Sequence, residues 1–167
     1  MQYLVVLLRV IHIFAAVLWV GGGLFFIAVI APTVREAAAD GGKFMQHVAR
    51  SGRVGRTFAA AAGATFLSGL ILYPLLGYES RMGTISGIVL TIGAVFGLLG
   101  FLHGIFISGK MARQLTALAN EMAGGPPAPE KIQAMQALAA KQGEAAVHSV
   151  ILTSAALLFM SASQYLI

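Results

Sequence analysis

The chain of 167 residues contains no cysteine, a single tryptophan and only 6 acidic residues. Without cysteine there are no disulfides, iron–sulfur clusters or thiolate zinc sites, and histidine, methionine and carboxylates remain as metal ligands. No acid lies well inside an apolar stretch, Glu79 and Glu144 standing at the ends of theirs, which argues against a carboxylate proton relay. A phosphate-binding loop is also missing, because Gly21-Gly22-Gly23 falls within an apolar helix pattern. Nothing points to a hydrolase.

What the sequence has in abundance is apolar length. Hydrophobic residues make up 58% of the chain and charged ones 10%, far from a soluble globular balance. A membrane span needs about 20 apolar residues, and the stretches 4–30, 57–76, 84–107 and 145–167 qualify. The first has no basic start and carries Arg9 and His12, so it reads as a retained span rather than a signal peptide. The formal charge of +5 does not indicate nucleic acid. With alternating spans, Arg35, Lys43, Arg50, Arg53, Arg56, Lys110, Arg113, Lys131 and Lys141 share one side, leaving Arg81 and Arg9 on the other. The positive-inside rule then puts both termini outside an inner membrane and both long connections in the cytoplasm.

Short outer and inner connections make successive helices neighbours. The expected fold is all-α: an integral membrane four-helix bundle, up-down-up-down, in a single domain over 1–167. Ala31-Pro32-Thr33-Val34-Arg35 is expected to end the first helix, and Asp40-Gly41-Gly42 to restart the chain. Helical spacing from Phe44 through Val48 to Phe58 predicts a second helix that begins outside the membrane and runs unbroken into it. Met111, Leu115, Leu118 and Met122 carry the third helix into the cytoplasm, and the run Gly124-Gly125-Pro126-Pro127-Ala128-Pro129 breaks it. Ile132, Met135, Leu138 and Ala139 then form a facing stripe, giving a cytoplasmic hairpin over about 110–144 whose stripes pack on each other.

The residues able to carry chemistry are the histidines. His12 and Trp19 are a heptad apart and Gly22 and Gly23 follow one turn later, so an imidazole, an indole and bare backbone are expected to face one space. By helical rise, His103 lies roughly 10 Å before the Lys110 exit and His148 roughly 5–10 Å after the Lys141/Glu144 entry. At that matched depth the pair can ligate one ion or face a planar cofactor, with Gly100 clearing space and Arg53 and Arg56 available to its carboxylates. This is the pattern of a b-type haem between two neutral imidazoles. Hydrogen bonds from His103 and His148 to each other, or to Ser149, Thr153 and Ser108, would produce the same sequence. His12, Met82 and Met160 share the outer level, and imidazole with thioether suits Cu(I). His47 reads as a solvated surface residue, and Arg50, Arg53 and Arg56 as a face drawn to anionic headgroups.

The sequence His12…Trp19…Gly22-Gly23-Leu24-Phe25 with Pro32 after it, and Leu102-His103-Gly104 followed by Gly109-Lys110 and Arg113, resembles a superfamily of small membrane proteins. That superfamily contains the copper-resistance D domain and the haem-pathway membrane protoporphyrinogen oxidase. The resemblance covers the first and third helices. It implies a helical bundle in which His12 and His103 are the functional histidines, binding haem in one branch and associated with copper uptake in the other. In place of the oxidase branch's Pro-Arg-Leu motif the chain has Phe26 to Arg35, and copper-resistance proteins of this type have more than four spans. The leading expectation is thus a redox or electron-transfer protein with haem b on His103 and His148. The alternatives are copper handling through His12, Met82 and Met160, or a non-catalytic subunit that binds a membrane-protein partner or a second copy of itself.

Overall fold

A computed structural model describes residues 1–125 and 128–166, apart from the side chain of Glu79. The described chain is all-α. Its helices are α1 (Gln2–Glu36), α2 (Ala38–Ser51), α3 (Arg53–Leu75), α4 (Ile85–Gly124) and α5 (Pro129–Tyr165). All except α2 are long and apolar enough to cross a membrane. Large side chains point away from the protein along them, Phe14 at 71%, Phe106 at 69% and Leu158 at 71% exposure. In water such a surface would drive aggregation, whereas acyl chains solvate it at no cost. The interior is built instead from small groups, with Ala61, Ala62, Thr65 and Ser68 buried on α3 and Thr153 and Ala156 on α5.

The four long helices pack in a ring. α1 meets α3 through His12 and Gly22. α3 meets α4 through a Phe66–Phe101 stack at 4.3 Å and a Tyr73–Thr91 hydroxyl bond of 2.7 Å. α4 and α5 share the longest seam, closed at one end by the Ser86 hydroxyl donating to the Ser163 carbonyl at 2.7 Å. Gly23 of α1 finally rests on Val150 of α5.

Two helix boundaries differ from the sequence expectation. The first helix runs through the Ala31-Pro32-Thr33-Val34-Arg35 run that was expected to end it and stops just beyond, at Glu36. Pro32 offers no amide to the carbonyl four residues back and crowds it. The preceding turn, Phe26–Ile30, is widened to π geometry, and the Thr33 hydroxyl donates to the Val29 carbonyl at 2.7 Å, so the helix continues through the proline. The second helix, in contrast, is two helices. Gly52 adopts φ 60° and ψ 2°, a left-handed stop that closes α2 and turns the chain into α3. The predicted break after α4 is present at Gly125 and Ala128, while its Pro126 and Pro127 lie outside the described residues.

α2 lies along the extension of α4. The Thr116 hydroxyl donates to the Ala49 carbonyl at 2.9 Å and Arg50 Nε to the Ala119 carbonyl at 3.3 Å, with Ala119 fully covered. The Met111–Met122 segment therefore packs against α2 as well as against α5, where Lys131 pairs with Glu121 at 3.0 Å. The tight corner from α1 into α2 requires Gly41, since a Cβ there would fall on the Val34 carbonyl. Gly41→Ala is expected to lower stability by about 2 kcal/mol through that overlap. Gly42→Ala, with nothing within 4 Å, should instead gain up to about 1 kcal/mol of helix propensity. Denaturant titration of the two variants in the same detergent checks the contrast.

Candidate functional site

His103 and His148 come together across the α4–α5 seam. Their ring centres are 6.2 Å apart and their planes stand at 88°. His103 Nδ1 and Ser149 Oγ are 2.9 Å apart, and Ser108 Oγ lies 3.4 Å from the same hydroxyl. When Nδ1–H donates to Ser149, Nε2 of His103 keeps its lone pair free, the arrangement by which proteins orient a ligating imidazole. His103 is half-buried and His148 exposed, so the pair opens toward the surface of the bundle. In α4 the turn directly after His103, Gly104–Ser108, is π-helical. Such turns re-aim side chains and are frequent at functional sites.

The geometry permits a test of what the pair could hold. Metal–imidazole bonds of about 2.0–2.1 Å on either side of one ion put two ring centres about 6 Å apart. Two ring centres 6.2 Å apart thus match the span that two imidazoles sharing one iron, or another transition-metal ion, would have. Gly100 was expected to clear space for a flat cofactor. Instead a Cβ on Gly100 would stand 2.9 Å from the Thr153 methyl, so its bare backbone lets α4 and α5 close on each other. A planar group would have to enter from the exposed His148 side of the seam.

His12 is half-buried on the opposite seam, between α1 and α3. Its Nδ1 is 2.8 Å from the Thr65 carbonyl and 3.2 Å from Ser68 Oγ, and its ring lies so close to Gly69 that a Cβ there would be 2.8 Å from Cε1. The Thr65 carbonyl can only accept, so the histidine Nδ1–H donates to it. Nε2 is then the ring nitrogen left as acceptor. Gly22 also faces α3, where Phe58 fills the space beside it, whereas Gly23 faces Val150 of α5. Trp19 is half-buried within a second π turn of α1, Val17–Gly21.

The methionines lie elsewhere. Met160 packs onto Gly93 and Gly97 of α4, and Met82 is 51% exposed in the turn before α4. His12, Met82 and Met160 thus sit in three different settings. Arg56 donates to the Ser51 carbonyl at 3.2 Å, and among the described residues neither it nor Arg53 bonds to the histidine pair. Among the described residues no group of three or more histidines and acids could hold a metal ion.

Sequence reasoning anticipated that His103 and His148 lie near each other and that Ser149 is a hydroxyl partner, whereas Ser108 reaches Ser149 rather than a histidine, Thr153 bonds within its own helix, and the acceptor of His12 was not foreseen. A backbone carbonyl on another helix leaves no mark in the sequence. The π turns were missed for a related reason, since apolar residues fill narrow and wide turns alike. No known protein family, curated protein or solved structure matches this chain.

Proposed function

We propose that the chain is a multi-pass cell-membrane protein, both termini outside, that transfers electrons through a b-type haem held by His103 and His148. The observation that carries the reading is the 6.2 Å separation of two imidazoles on neighbouring apolar helices, one of them oriented by Ser149. The sequence resemblance to a superfamily with a haem-binding branch supports haem and a role for His103, although it pairs that residue with His12. Bound there, haem would supply a one-electron iron couple whose potential depends on its surroundings. The chain's own part is to present two neutral nitrogens, to hold the His103 ring through the Ser149 hydroxyl, and to keep water from one side with the closed Gly100–Thr153 contact. Cytoplasmic placement of α2 and of the α4–α5 extensions follows from the basic residues that cluster there.

An absorption spectrum of the protein purified in mild detergent, oxidised and then reduced with dithionite, tests the reading together with metal analysis of the same sample. Sharp reduced bands of a low-spin haem with about one iron per chain are expected. A colourless sample containing copper would replace this reading with copper handling, which His12 favours because its Nδ1 bond to Thr65 leaves Nε2 available. A sample with neither metal would leave the account as a subunit of a larger membrane complex.

A further inference from the structure

The elbow between α2 and α3 forms an open recess of about 550 Å³, lined by His47, Val48, Ser51, Arg53, Val54 and Arg56. Two guanidiniums line it and no carboxylate does. Two ion pairs occur among the described residues, Asp40 with Lys43 at 2.9 Å and Glu121 with Lys131 at 3.0 Å, and neither takes in Arg53 or Arg56. The arginines are also not spread around the helix. Arg50, one turn earlier, bonds to Ala119 of α4 instead, whereas Arg56 is drawn to the recess side by its bond to the Ser51 carbonyl. That bond uses one nitrogen of a five-donor group and leaves the rest for an anion.

The place of the recess selects among anions. It lies at the very start of α3, whose apolar run begins at Phe58, and its Val54 is 42% exposed beside the arginines. From it Gly55, Ala59 and Gly63 descend along α3 at intervals of four, and the two glycines have nothing within 4 Å of where a Cβ would stand. A charged recess at a span boundary that continues into a shallow apolar furrow matches a molecule with a phosphate head and hydrocarbon tails.

We propose that this recess binds the headgroup phosphate of an anionic glycerophospholipid, with Arg53 and Arg56 on its oxygens and an acyl chain along the Gly55–Gly63 furrow. The inference is independent of any cofactor at the histidine pair and rests only on the membrane-spanning reading of α3. Guanidiniums suit phosphate because their donors lie in a fixed planar fork. The Gly52 turn makes the recess, since a straight helix would carry His47 and Ser51 away along the axis.

The test is native mass spectrometry of the full chain released from detergent micelles that contain equal phosphatidylglycerol and phosphatidylcholine. The wild type is expected to retain the anionic lipid about tenfold over the neutral one. Arg53→Gln together with Arg56→Gln should bring the two to parity. Arg53→Gln alone, which leaves the Arg56–Ser51 bond in place, should lose about threefold of the preference. Arg35→Gln, an exposed residue at the end of α1 and outside the recess, should keep all of it. Equal retention by the wild type, an undiminished preference in the double variant, or the same loss in Arg35→Gln would each overturn the proposal. Displacement of the lipid by inorganic phosphate alone would overturn it in favour of a soluble anion.

Discussion

Gly93→Leu is expected to lower the stability of the bundle by about 3 kcal/mol, the upper end of what overpacking costs. At Gly93 a Cβ would lie 2.9 Å from Met160 Cγ, 3.0 Å from the Met160 amide nitrogen and 3.1 Å from the Ala156 carbonyl. Two of those three atoms are backbone, so no rotamer change on α5 relieves the overlap. The helices must part, and with them goes the contact that membrane helices rely on in place of a hydrophobic drive. Gly97→Ala is the control. Its Cβ would meet Ala156 Cβ and Met160 Cε at 3.8 Å, ordinary contact distances, and stability should stay within about 0.5 kcal/mol. Denaturation from mild detergent into a denaturing one, followed by helical circular dichroism, separates the two. Equal effects would mean that α4 and α5 do not share this seam.

The second large effect concerns the histidines. On the proposed haem reading, His103→Ala and His148→Ala should each abolish the low-spin spectrum, because either change removes one of the two nitrogens that would hold the iron. Ser149→Ala, which removes only the hydroxyl that holds the His103 ring, should weaken cofactor retention about tenfold, as loss of an orienting partner does at ligating histidines. His12→Ala should leave the spectrum as it is and cost about 1 kcal/mol for the lost bond to Thr65. The likeness to haem- and copper-linked membrane proteins makes a different forecast, in which His12 and His103 act together. The structure puts His12 against α3 and His103 against α5. A spectrum lost in His12→Ala and kept in His148→Ala would therefore require a rearranged bundle and would sink the pairing proposed here.

The four long helices were legible because a continuous apolar run of span length has few other outcomes. The His103–His148 meeting was legible too, since helical rise gives each histidine a depth and neighbouring helices do the rest. Pro32 and Gly52 show where that reasoning stops. Proline was expected to end α1, but a widened turn and the Thr33 hydroxyl carry the helix past it. Gly52 was passed over within a helical pattern, because a glycine there is tolerated in a right-handed helix and only tertiary packing selects the left-handed stop. In the same way Gly100 was expected to clear space for a flat cofactor, and nothing in the sequence says what fills that space. The answer was a threonine methyl on the next helix.

Among the described residues the widened turns fall on two of the four long helices only. A π turn interrupts the regular ladder of amide bonds, and the described chain has three, Val17–Gly21 and Phe26–Ile30 in α1 and Gly104–Ser108 in α4. Helices α3 and α5 carry none among their described residues. The widened turn of α4 begins immediately after His103, so the irregular stretch of that helix adjoins one of the two imidazoles whose ring centres are 6.2 Å apart.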